Sequence, residues 1–196
     1  MDIRIQPQAL TTVSSDLLVV PVVQGKHESD EITTLDRMLT GALQAQIERL
    51  KFKGKEGETL LFPTHGRLPS PTLLFVGVGK LADNENETWR CAGAKAQREA
   101  RNQNAKRVAW CVVTDQTSDE ALAAVAEGAL LSSYTFDRYK SEKNGKPAVE
   151  TFAFVGTELQ KTATLTRALA VVEKMVPGVF LARDLINEPA SVSTPS

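Results

Sequence analysis

Leu17-Leu18-Val19-Val20-Pro21-Val22-Val23 is an apolar run with no polar interruption. A strand with one wet face alternates apolar and polar residues, whereas a strand covered on both faces reads as a continuous apolar stretch. The run therefore predicts a central strand with helices above and below it. That arrangement is the mark of an α/β fold.

Working outward, residues 2–6 alternate as a short strand, and Gly25-Lys26-His27-Glu28-Ser29-Asp30 is a polar break. From Glu31 to Leu50 the apolar residues fall at Ile32, Leu35, Leu39, Ala42 or Leu43, Ile47 and Leu50. This spacing predicts one helix, with Ser29 or Asp30 as its N-cap. Two strands are expected at Glu58–Pro63 and Thr72–Val78, separated by a turn-rich loop through His65, Gly66 and three prolines or serines. A helix is expected at about 86–103, a strand at Val108–Val113, and a helix capped by Ser118 that reaches about Tyr134. Thr151–Val155 reads as the last strand. A helical pattern then fills 160–187, with Pro177-Gly178 expected to kink or interrupt it. The alternation predicts a mixed β-sheet flanked by helices, with two or three of the early strands paired directly.

The bulk numbers narrow the function classes. The 196 residues suffice for one domain and an appendage. Twenty-three basic against 24 acidic residues give no global attraction to nucleic acid or to an anionic membrane. No apolar run is long enough to span a bilayer, and Met1-Asp2-Ile3-Arg4-Ile5 is not a signal peptide, so the expected location is cytoplasmic. Cys91 and Cys111, on a helix and a strand, form neither a disulfide framework nor a CxxC zinc pair. They read as small packing residues.

Candidate chemistry is sparse. Gly77-Val78-Gly79-Lys80-Leu81-Ala82 formally fits the dinucleotide pattern GxGxxA. It does not follow the first strand, Asp83–Glu87 delays the helix, and no acidic residue ends the next strand at the usual distance. A tight turn that needs glycine is the better reading. His27 and His65 lie in polar loops without metal-ligand spacing. Ser14, Ser15, Ser132, Ser133 and Ser191 carry hydroxyls but stand in no GxSxG motif. Lys51, Lys53 and Lys55 form a basic patch without interleaved aromatics, as expected of a solvated helix end. No catalytic, cofactor-binding or metal-binding residue is assigned.

Two further stretches are informative together. Glu127–Lys140 is an amphipathic helix that ends in Tyr134, Phe136 and Tyr139, aromatics expected to fold back on the core. Ala182-Arg183-Asp184-Leu185-Ile186-Asn187-Glu188-Pro189-Ala190-Ser191-Val192-Ser193-Thr194-Pro195 runs from helix into extended backbone, since the residue before a proline is pushed out of the α region. The latter resembles the segment leading into the catalytic domain of leucyl aminopeptidases, the cytosol aminopeptidase family. Tyr134-Thr135-Phe136-Asp137-Arg138-Tyr139-Lys140 and Leu74-Phe75-Val76-Gly77-Val78-Gly79-Lys80 resemble two other patterns of that family, in the same order.

The resemblance implies a macro-domain-like domain over 1–158. It also implies a linker helix over 159–196, leading to a C-terminal catalytic domain in a longer protein. The parent would be a hexameric peptidase that uses two divalent metal ions, zinc or manganese, to cleave N-terminal residues from peptides. The family's metal-binding motifs, similar to Gly-Lys-Gly-x-Thr-Phe-Asp-Ser-Gly-Gly and Asn-Thr-Asp-Ala-Glu-Gly-Arg, do not occur in residues 1–196. The expected role is therefore non-catalytic, in assembly and active-site access. The alternatives are a freestanding macro-like module that binds a ligand at the Gly77–Ala82 turn, and a nucleic-acid-binding accessory domain, which the near-neutral charge opposes.

Overall fold

The computed structural model describes residues 1–26, 29–81, 85–113, 117–139, 147–159 and 162–189. In chain order the elements are β1 (Asp2–Gln6), β2 (Leu17–Val23), α1 (Asp30–Met38), α2 (Ala42–Leu50), β3 (Thr59–Pro63) and β4 (Thr72–Gly79). They continue with α3 (Glu85–Asn102), β5 (Arg107–Cys111), α4 (Asp119–Ser132), β6 (Thr151–Val155) and α5 (Ala163–Asn187). The strands form one mixed sheet in the order β1-β6-β5-β2-β4-β3. Only β3 runs antiparallel to its neighbour, and every other pairing is parallel.

All of β2 is buried, and its alternate residues feed two different cores. Leu18, Val20 and Val22 pack with Phe75, Cys111 and the α1–α2 residues Ile32, Leu35, Leu39, Leu43 and Ile47. Leu17, Val19 and Val23 face the other way, onto Trp89, Ala92 and Ala96 of α3 and Leu122, Val125 and Ala129 of α4. The unbroken apolar run is thus the middle of a three-layer α/β/α sandwich. Trp89, Trp110, Phe152 and Phe154 fill the thicker core with edge-to-face and stacked rings 5.8–6.5 Å apart.

Two expectations are corrected. The helix expected from Glu31 to Leu50 is two helices, broken where Thr40 and Gly41 take positive φ. The break is stabilised locally: the Asp36 carboxylate accepts the N–H groups of Leu43 and Gln44 at 3.1 and 3.0 Å, so a residue of α1 caps α2. Three early strands do pair directly, as expected: β4 lies between β2 and β3, whereas β1 lies at the far edge beside β6. Pro177 does not interrupt α5, which runs from Ala163 to Asn187 as one element.

The α3–α4 contact explains a glycine. A Cβ on Gly128 would stand 1.9 Å from the Arg90 carbonyl oxygen, so the two helix backbones meet at a distance that no side chain permits. Along α5, Leu165, Leu169, Val172 and Val176 are buried, the stripe expected from their spacing. Leu165 and Leu169 enter the thicker core, and Val172 and Val176 pack with Leu130 of α4.

Candidate interaction surface

In open α/β sheets, ligands settle beyond the carboxyl ends of the strands where the crossovers diverge. Here the divergence falls at β2, whose following helices cover one face, while α3 and α4 after β4 and β5 cover the other. The Gly77–Gly79 turn sits at this place. Its backbone is already engaged: Gly77 N donates to Glu58 O at 2.7 Å and Gly79 N to Gly54 O at 2.9 Å. The Gly79 carbonyl accepts from Gln24 N at 2.9 Å. A Cβ on Gly77 would lie 2.0 Å from the Lys55 carbonyl oxygen. The glycines therefore admit the chain's own 54–58 segment, and these two amides are not free to cradle a phosphate. Ala82, the last position of the pattern, lies outside the described residues.

The other candidate residues do not converge. His65 is exposed in a turn with φ 50°, and His27 and Ser191 lie outside the described residues. Ser15 is buried against Ser70, hydroxyl to hydroxyl at 2.8 Å, whereas Ser14 is exposed. Ser132 and Ser133 return their hydroxyls to the Ala129 and Leu130 carbonyls at 3.1 and 2.7 Å, closing the end of α4. Lys51, Lys53 and Lys55 are exposed beyond α2, and the Glu58 carboxylate accepts the Lys53 and Lys55 amides. Burial and the nearby Glu87 carboxylate push the Cys91 thiol up, and full burial pushes the Cys111 thiol well up, so neither is a ready nucleophile. Among the described residues no three His, Cys, Asp or Glu side chains are placed to hold a metal ion.

What the structure does bring together is two of the three motif stretches, 134–139 and 183–188. Tyr134 and Tyr139 do not fold onto the sheet core as expected; they meet the last turns of α5 and its cap, and Phe136 packs on Tyr139. The Tyr134 ring packs 5.2 Å from Phe180, and its hydroxyl donates to Asp184 Oδ1 at 2.8 Å while accepting from Asn187 Nδ2 at 3.2 Å. The Arg183 guanidinium lies over the same ring at 5.4 Å, and its Nη1 donates to the Leu131 carbonyl at 2.9 Å. Arg138 and Tyr139 both donate to the Glu188 carboxylate. Partial burial, with the Asp184 carboxylate beside it, raises the Tyr134 hydroxyl above its usual range. All of these residues but Phe180 lie in the stretches 127–140 and 182–195, but their pairing across about fifty residues carries no local signal.

This clasp borders an apolar surface. Leu181, Leu185 and Ile186 are 59%, 60% and 83% exposed on the outer side of α5, and Val171 and Met175 continue the stripe. Beside it runs an open groove of about 760 Å³, with Leu130, Val176 and Phe180 in its wall. A helix that is apolar on both its inner and outer faces is one built to be covered on both.

Fold and surface together define a class: a three-layer α/β domain carrying a long helix whose outward face exposes apolar side chains. The family model for the N-terminal domain of the cytosol aminopeptidase family matches residues 19–143, and the chain belongs to that family. It is 32% identical over 201 residues to a probable cytosol aminopeptidase of Alkaliphilus oremlandii, covering 100% of this chain and 40% of the relative. A probable cytosol aminopeptidase of Thermosynechococcus vestitus is 34% identical over 204 residues with the same coverage. Among solved structures, a mutant of tomato leucine aminopeptidase superposes with a TM-score of 0.85 at 26% identity, over 100% of this chain and 40% of that one. The bottromycin maturation enzyme BotP in complex with Mn shares the fold, with a TM-score of 0.68 over 93% of this chain and 34% of its own. The chain thus spans about 40% of the length of the relatives it matches.

Proposed function

We propose that this chain is the non-catalytic N-terminal domain of a metal-dependent leucyl aminopeptidase that removes N-terminal residues from peptides. On this reading residues 1–158 form the domain proper, and 159–196 form the linker helix and the start of the path to the catalytic domain. The two divalent ions, zinc or manganese, and the residues that activate water belong to the part of the polypeptide that the relatives have and residues 1–196 do not cover. The domain serves assembly, into a hexamer, and access to the active site.

The observation that carries this reading is coverage. The whole chain aligns with two-fifths of proteins named as aminopeptidases. Two-metal hydrolysis needs several convergent carboxylates on rigid elements, and the described residues offer no such group. The apolar outer face of α5 is consistent with a helix that meets a second body of protein.

The test compares the 196-residue chain with the polypeptide extended to the length of its relatives. Hydrolysis of leucine p-nitroanilide is followed with added manganese or zinc and after chelation. No turnover is expected from the 196 residues alone. The extended protein is expected to be active, to lose activity on chelation and to regain it with metal. Metal-dependent hydrolysis by the short chain, with metal bound stoichiometrically, would overturn the assignment.

A further inference from the structure

Two of the three stretches that carry the family resemblance meet in space. Residues 134–139 leave the end of α4; residues 183–188 are the last turn of α5 and its cap. Between them lie the five side-chain contacts of Tyr134 with Asp184 and Asn187, Arg183 with the Leu131 carbonyl, and Arg138 and Tyr139 with Glu188. Apolar packing accounts for little of this end of the helix: the buried stripe of α5 stops at Val176, Leu181, Leu185 and Ile186 are exposed, and Phe180 is the partly buried apolar residue that packs there. After Val176, α5 passes Pro177, which lacks an N–H to give the preceding turn, and Gly178, a poor helix former. Pro177 and Gly178 thus weaken the link between the final ten residues and the buried part of α5. Phe180, its ring tilted against that of Tyr134, and the polar contacts are what hold those residues in place.

The last contact sits at the exit. Glu188 has extended backbone (φ -66°, ψ 133°), as the following proline requires, and its amide still donates to Asp184 O. Its side chain is 9% exposed, folded back onto Arg138 and Tyr139. Position and direction at Pro189 are therefore tied to the end of α4 through Glu188, and α4 is tied to the sheet core through Leu122, Val125 and Ala129.

We infer that Tyr134, Arg138, Tyr139, Arg183, Asp184 and Glu188 form a positioning clasp. It keeps α5 helical beyond Pro177 and sets the direction in which the chain leaves at Pro189. Its consequence for the whole protein, a fixed placement of the catalytic part against this domain, rests on the function proposed above. The clasp itself does not.

Amide hydrogen exchange on the 196-residue chain tests it, with Tyr134→Phe combined with Glu188→Gln. The variant removes the hydroxyl between Asp184 and Asn187 and the charge that Arg138 and Tyr139 share, while keeping the shape of both side chains. Two hydrogen bonds of ordinary net strength correspond to about a thirtyfold change in the local opening equilibrium. Exchange at 180–188 is expected to quicken by about that factor. Exchange at 163–172, held by Leu165 and Leu169, is expected to stay unchanged, as is the urea midpoint read from the buried Trp89 and Trp110. Unchanged exchange at 180–188 overturns the clasp, and so does an equal rise along all of α5 with a lower core midpoint, which would mean general packing loss. Should the double variant fold poorly, Arg138→Gln, whose side chain is exposed, tests the same point with the same readout. Neither result depends on aminopeptidase activity, so the clasp and the proposed function can fail separately.

Discussion

Gly77 has no space for a methyl group, because the Lys55 carbonyl oxygen stands 2.0 Å from where its Cβ would be and Gly54 C stands at 2.7 Å. Both obstacles are backbone, so relief requires the 54–58 segment to move away from β4 and to give up hydrogen bonds on Gly77 and Gly79. Gly25 differs: it has φ +84° and nothing within 4 Å of an added Cβ. Gly77→Ala is therefore expected to cost about 3 kcal/mol, the upper range for overpacking, and Gly25→Ala about 1 kcal/mol from left-handed backbone alone. Urea unfolding followed by tryptophan fluorescence measures both. Equal costs would mean that the 54–58 segment yields easily and that the glycine is not there for close approach.

At the scale of elements, Asp16 joins the start of β2 to β5. Its carboxylate accepts the amides of Lys106 and Arg107 at 2.9 and 2.8 Å and the Arg107 guanidinium at 2.8 Å. Partial burial alone would raise its pKa; the Arg107 side chain and the two amides outweigh burial and leave it below the ordinary carboxylate value. A carboxyl whose pKa is lower in the folded state contributes stability above its unfolded value, about 3.9. That contribution fades as pH falls through the folded value. Asp16→Asn is thus expected to be less stable than the parent chain at pH 7, with the gap narrowing below about pH 4. Urea midpoints at pH 7 and pH 3 check this, and a gap independent of pH would show that charge at Asp16 does not hold the strands.

For the whole molecule, the decisive feature is the outer face of α5. Leu181, Leu185 and Ile186 leave apolar area in water at roughly 25 cal/mol per Å². Self-association of the 196-residue chain at high concentration is therefore expected, in a geometry that need not match any assembly of a longer protein. Removing the helix is no test, since Leu165 and Leu169 belong to the core. Changing Leu181, Leu185 and Ile186 together to serine leaves the core untouched. Sedimentation should show association for the parent chain and a monomer for the variant; two identical monomers across the concentration range would dismiss the idea.

Each element reported its own presence through residues within a few positions of one another. The run Leu17–Val23 announced a strand covered on both faces, Ser29 and Ser118 marked helix starts that they do cap, and the 165-169-172-176 spacing named the buried stripe of α5. Periodicity and capping are short-range physics, so they are written locally and can be read locally. The break at Thr40-Gly41 escaped because Ile32, Leu35, Leu39, Leu43 and Ile47 keep one apolar face across both helices. The strand order, with β1 beside β6 rather than β2, and the clasp between residues 134–139 and 183–188 came only with the tertiary structure. Those partners lie about fifty to one hundred and fifty positions apart. Which distant segments meet is settled by the faces that must be buried together, and no local pattern carries that information.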